Sequence, residues 1–304
     1  MKKAIIVLAT ALAGVQAFAQ LTPEEVKAQY VRQVRNVGYS GVGVENILDK
    51  WERVAPEDGQ MLEARFNYYL DKSCSSSLVA KEQDKYLGAK PQLTLKDADG
   101  KDVNYFEEKF FVDSLFALSE VWIDKAIRLY PDELQYRFEK LNALIEYEKE
   151  SPDIAAAELD DLINYNTSVK PSWKLGGEEF NSSDFSAAVQ EYCYAFFKLG
   201  TPGAYEAFRA ISEKMSKLEP SNTVFLTNLG SYWFVGKQNN KQALKYYNKV
   251  LKINPKDYTA AKNCVLLARK DKNVKLEKKY LQILIAATDS EAEKASCQAR
   301  LNSL

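Results

Sequence analysis

The chain of 304 residues contains no histidine. That removes the commonest general base, the commonest metal ligand and every Ser-His or Cys-His arrangement. Paired carboxylates could still do glycoside chemistry. However, Asp160 and Asp161 sit side by side on an expected helix and diverge, and no pattern brings two carboxylates to one pocket. Cysteine is scarce: Cys74, Cys193, Cys264 and Cys297 stand far apart, with no CxxC for thiol exchange or a zinc ribbon. The phosphate-loop, dinucleotide, nucleophile-elbow and HExxH motifs are missing. Asp97-Ala98-Asp99-Gly100 lacks the acidic residues of a calcium loop, because Leu95 and Phe106 occupy their places. These absences argue for a non-catalytic protein with no cofactor and no metal.

No stretch after the first twenty residues is long and apolar enough to span a bilayer, so no transmembrane segment is expected. Residues 1–19 have a leader's layout: Lys2 and Lys3, an apolar core from Ala4 to Gly14, and Ala17-Phe18-Ala19 before Gln20. Export to a periplasm, or secretion, is expected. No cysteine at the cleavage site offers a lipid attachment point. Removing the leader leaves 285 residues with a net charge of −3. Export permits disulfides, but Cys193, Cys264 and Cys297 lie in apolar helical patterns, which favours buried thiols; a Cys264–Cys297 bridge is the alternative.

What is present is a repeat. Helix-ending prolines recur at Pro56, Pro131, Pro220 and Pro255, each with a core-type residue five positions earlier: Trp51, Ala126, Met215 and Val250. Pro220 and Pro255 are 35 residues apart. The wider spacings imply an insertion near residues 73–110, where QLTLKDADGKDVNYF predicts a β-hairpin about an Asp-Gly turn. They also imply a loop near residues 166–183, rich in Gly, Pro, Ser and Asn. Val26, Tyr30, Val34 and Val37 begin the array after Thr22-Pro23. Residues 221–288 hold the most regular repeats, and residues 289–304 read as a capping helix.

The stretch GSYWFVGKQNNKQALKYYNKVLKINP resembles a tetratricopeptide repeat (TPR). Leu229-Gly230 and Trp233 fill the first helix's packing positions, Ala243, Tyr247 and Val250 those of the second, and Pro255 closes the unit. Its turn holds one residue more than the family norm. The next unit, with Ala261, Cys264, Val265 and Ala268, replaces the usual Gly and Trp by Val265 and Ala268. The resemblance implies an all-α, right-handed superhelical solenoid of about six helix hairpins over residues 20–304, with a small β-hairpin insertion. It also implies a protein or peptide partner held in a groove lined by first helices.

By offset from the packing positions, Thr227, Asn228, Ser231 and Phe234 are expected to face that groove, followed one repeat later by Lys262, Asn263, Leu266 and Arg269. The two asparagines could hold a peptide backbone and the two cations a carboxylate, similar to the groove of some tetratricopeptide chaperone adaptors. A second surface is basic. Residues 237–279 carry twelve Lys and one Arg against Asp257, Asp271 and Glu277, a net +10. Lys241, Lys245, Lys249, Lys252 and Lys256 form one helical stripe. It is either a solvated face or a contact for an anionic envelope glycan or lipid; nucleic acid is not expected for an exported chain. Trp173, in the 166–183 loop, either anchors a partner or folds back over the array's edge.

Overall fold

The computed structural model describes residues 21–304; the expected leader lies outside the described residues. The described residues form six helix pairs and a final helix. The pairs are α1 (Pro23–Val37) with α2 (Val44–Val54), α3 (Gly59–Ser73) with α4 (Asp113–Leu129), and α5 (Leu134–Glu148) with α6 (Asp153–Val169). They continue with α7 (Ser182–Leu199) and α8 (Pro202–Leu218), α9 (Thr223–Ser231) and α10 (Asn240–Ile253), and α11 (Tyr258–Lys270) and α12 (Val274–Ala287). The last helix, α13 (Glu291–Asn302), lies on α12. This is an all-α solenoid, tetratricopeptide-like in layout, with a small β insertion.

Local chemistry starts these helices. Thr22 and Glu25 form a reciprocal capping box ahead of α1, with Pro23 in the first turn. Asp58, Asn181, Thr201, Asn222, Asn239, Asp257, Asn273 and Ser290 each cap a later helix by accepting from its first amides.

Packing then joins the hairpins. One apolar cluster runs from Val26 through Trp51, Ile123, Leu159 and Phe196 to Tyr232, and a second from Ala243 through Cys264 to Cys297; Trp233 packs against both. Gly230 lies directly on the buried ring of Tyr247, where any Cβ would collide with that ring. The four cysteines are unbridged, with Cys193, Cys264 and Cys297 buried.

The turn read as one residue longer than the repeat it resembles takes a definite form. After α9 the backbone continues as one π-helical turn, Tyr232–Gly236, in which the Lys237 amide donates to the Tyr232 carbonyl at 3.0 Å. A one-residue insertion in a helix is absorbed in this way without disturbing either neighbour. Trp173 is buried, its indole donating to Asn166 Oδ1 at 2.9 Å and its ring parallel to Phe185. It covers the array between α6 and α7. The loop around it is shorter than expected, because α6 runs to Val169 and Lys174–Leu175 pairs with Glu178–Glu179 as the hairpin β4–β5.

The insertion is a three-stranded sheet, one strand more than the hairpin read from the sequence. β2 (Leu93–Lys96) and β3 (Asp102–Phe111) are that hairpin, and β1 (Cys74–Lys81) pairs with the other side of β3. Because β1 leaves α3 directly and β3 enters α4 within two residues, the helix hairpin simply continues as a β-ribbon. The serine run of β1 gives no hydrophobic alternation, and its extended form comes from pairing with β3.

Candidate functional site

The segment between β1 and β2 folds back over the sheet and meets the helices. Its tip is a tight turn, Tyr86-Leu87-Gly88-Ala89, closed by reciprocal backbone hydrogen bonds of 3.1 and 2.9 Å. Leu87 and Gly88 both have positive φ, 47° and 75°, the requirement of a primed turn. Gly88 presses against the Lys198 carbonyl at the end of α7, so that a Cβ would overlap it. Tyr86 packs edge-on against the buried Phe106.

Glu108 fastens the sheet to α5. It accepts from Lys149 Nζ at 3.4 Å and pairs with Lys81 Nζ at 3.2 Å, while the Tyr86 hydroxyl donates to it at 3.4 Å. These two ammonium groups outweigh its burial and hold its pKa below the usual carboxylate value.

Clefts open on both sides of this seam. One of ≈ 340 Å³ lies between the sheet and α5, floored by Phe106, Ile145 and Leu199. A larger one, ≈ 830 Å³, is walled by Tyr86, Tyr194, Phe197 and Tyr205 and rimmed by Gln83, Lys85, Ser151, Lys198 and Thr201. A third, ≈ 320 Å³, continues past Tyr194 and Phe197 along α9 to Asp257 and Thr259. Tyr194 and Phe197 line both of the last two, and Tyr194 is 57% exposed. The second and third clefts therefore form an aromatic groove across first helices α7, α9 and α11, with the insertion at one end.

Of the groove residues expected from sequence, Thr227, Asn228 and Ser231 do line the third cleft. Asn228 is nevertheless buried, and its amide is committed to Gln190 (2.6 Å) and Ser212 (3.2 Å). Ser231 Oγ donates to the Thr227 carbonyl at 3.2 Å and lies 3.1 Å from the Tyr247 hydroxyl. Phe234, Lys262, Asn263 and Arg269 are not among the lining residues. Phe234 packs against the C-terminal cluster beneath Lys270, and Asn263 is half-buried on α11.

The pair of cations read as a carboxylate clamp is already occupied. Lys262 pairs with Glu293 at 3.1 Å, and Arg269 with the buried Glu277 at 2.8 Å. Glu277 also receives Arg300 of α13 at 2.8 Å, so Arg269 belongs to the latch of the final helix. Offset counting could not see this, because both acids come from later elements.

The basic stripe is fully displayed. Lys241, Lys245, Lys249 and Lys252 lie on α10, whereas Lys256 falls in the turn after it because the helix ends at Ile253 ahead of Pro255; all five are exposed, and no carboxylate lies within ion-pair distance of them among the described residues.

Sequence reasoning missed Tyr86, Tyr194, Phe197 and Tyr205. A signal did exist for two of them. The buried stripe of α7 is Phe185, Val189, Cys193 and Phe196, and Tyr194 and Phe197 are large aromatics beside it. Tyr86 and Gly88 join the groove only through the tertiary docking of the insertion.

No family model matches this chain, and no curated protein matches it. Among solved structures, that of pilF from Pseudomonas aeruginosa aligns with 62% of this chain and 75% of its own length, at 16% identity and a TM-score of 0.39. A likeness at that level bears on neither the groove nor its occupant. No described helix is long and apolar enough to cross a membrane.

Proposed function

We propose that this chain is an exported, non-catalytic scaffold that holds a protein or peptide partner in the aromatic groove over α7, α9 and α11. The observation that carries the reading is Tyr194, 57% exposed on the wall shared by two clefts. An aromatic ring left open in a concavity offers large apolar area at low entropic cost, which is how interface anchors act. The leader-like residues 1–19 support export, and the missing histidine supports binding without chemistry.

A photo-reactive residue placed at position 194 tests this in cells that make the protein, beside one at Lys245. A protein adduct specific to position 194 is expected. The same adducts at both positions, or none at 194, would remove the groove as the contact.

The unpaired lysines favour a second reading, a contact with an anionic glycan or lipid of the envelope. Retention on an anionic polymer that falls steeply with salt, and is lost when Lys241, Lys245, Lys249 and Lys252 become Glu, would support it. Salt-independent retention would exclude it.

A further inference from the structure

The inserted sheet has an open side. β1 pairs with β3 along its whole length, from Cys74 opposite Phe111 to Lys81 opposite Asn104. Among the described residues, no backbone hydrogen bond reaches its outer edge. From Ser75 to Ala80 this edge reads Ser-Ser-Ser-Leu-Val-Ala, with no charge and no proline. Edge strands are ordinarily protected by charges, prolines, bulges or brevity, because their free amides and carbonyls template another strand. β1 has none of these protections over six consecutive residues, whereas β2 at the opposite edge has only four residues and ends in a lysine.

The two faces of the sheet differ. Residues opposite one another in antiparallel strands share a face. Asn104 and Phe106 face the returning segment, where the Asn104 amide donates to the Gln83 carbonyl at 3.2 Å and Tyr86 covers Phe106. The other face carries Leu78, Ala80, Leu93, Leu95, Val103 and Tyr105. Tyr105 lies between Ala80 and Leu93, and Val103 opposite Leu95. Leu78, Leu93 and Leu95 are 52%, 45% and 48% exposed.

We propose that β1 is the contact strand of a symmetric homodimer, pairing antiparallel with β1 of a second copy. The occupant follows from self-complementarity. A two-fold axis at Leu78 sets Leu78 beside the second copy's Leu78 and Ser76 beside its Ala80. It also sets Lys81 beside Ser75, so no like charges meet. Lys81 is in any case neutralised by Glu108 of its own chain at 3.2 Å. An isologous contact of this kind closes and does not propagate. It would join two sheets into one of six strands. Strand pairing alone gives an interface at the small end of the stable range, so the dimer is weak and concentration-dependent.

Sedimentation velocity of the full chain, from micromolar to submillimolar concentration, tests this together with Leu78→Lys and Leu78→Glu. Leu78 is exposed and lies opposite Glu107 of β3, so Leu78→Lys should melt like the parent and Leu78→Glu slightly below it. Each alone should associate at least tenfold more weakly, and an equal mixture should regain association, because opposite charges then face each other across the axis. Hydrogen exchange should show alternate amides between Ser75 and Lys81 protected as the dimer forms. A parent chain monomeric throughout, a mixture no better than either variant, or a dimer whose β1 amides exchange at the monomer rate would each overturn the proposal. The last outcome would mean that copies meet by another surface.

Discussion

Two residues carry sharp expectations of their own. Gly88 has a positive φ and abuts the Lys198 carbonyl, so Gly88→Ala is strained twice. We expect the helical array to survive, because Gly88 lies outside both apolar clusters, while the 82–92 segment lifts off α7. Faster proteolysis within that segment at nearly unchanged melting temperature is the readout; wild-type resistance would show that the turn does not depend on this contact. Glu139 is the second. The Gln135 amide lies 2.9 Å from Glu63 Oε1 and 3.2 Å from Glu139 Oε1, and Glu139 Oε2 is buried without a partner. Burial and then the neighbouring Glu63 raise the Glu139 pKa to about 8; Tyr30, Tyr136, Lys27 and Glu133 also surround this pair. The native state therefore keeps a proton that the unfolded chain has released above its ordinary carboxylate pKa. Stability is therefore expected to fall as pH rises above the ordinary carboxylate value of 4.5 towards about 8. Glu139→Gln should flatten that slope and melt higher than the parent at neutral pH. An unchanged pH profile would show that the pair is not the source.

At the scale of elements, the repeat was legible where proline, glycine and aromatic positions recur with fixed spacing. That is why the hairpins α9–α10 and α11–α12 and the cap α13 fall where the sequence places them. β1 and the groove were not legible, for different reasons. β1 is extended because β3 lies beside it, not because its serines alternate with apolar residues. The groove exists because the 82–92 segment docks on α7, Gly88 meeting Lys198 110 residues further along the chain. The same limit applies to the supposed carboxylate clamp, whose arginine serves the cap. Glu277 is buried on α12 and joins Arg269 of α11 to Arg300 of α13. Arg300 and Arg269 together outweigh burial and lower its pKa. Hydrogen bonds to charged groups contribute roughly 1.5–3 kcal/mol each. Glu277→Ala should therefore release α13 before the rest of the array. Amides of residues 294–302 should lose exchange protection while those of α9 and α10 keep theirs. Uniform loss across α9 to α13 would mean that the cap has no separate latch.

For the whole molecule, the decisive feature is that the two apolar clusters meet at Trp233. A repeat array is stabilised by the sum of its units and their neighbour contacts, so it unfolds as one body only while each junction is strong. Trp233 sits where α9 enters its π-helical turn, Tyr232–Gly236. The cluster before it contains most of the large aromatics, and the one after it is built largely from alanine, leucine and cysteine, with Tyr247 and Tyr280 as its big side chains. The smaller C-terminal cluster is therefore the weaker partner across the junction. Removing a large aromatic from a core costs about 3–5 kcal/mol, less here because Trp233 is only partly buried. We expect Trp233→Ala to leave the N-terminal repeats folded and to uncouple the last two. Denaturant unfolding followed by far-ultraviolet circular dichroism should then split into two steps, and the first should expose Cys264 to alkylation. A single transition, displaced but undivided, with Cys264 and Cys193 reacting together, would show that coupling runs through α8 and α9 without this tryptophan.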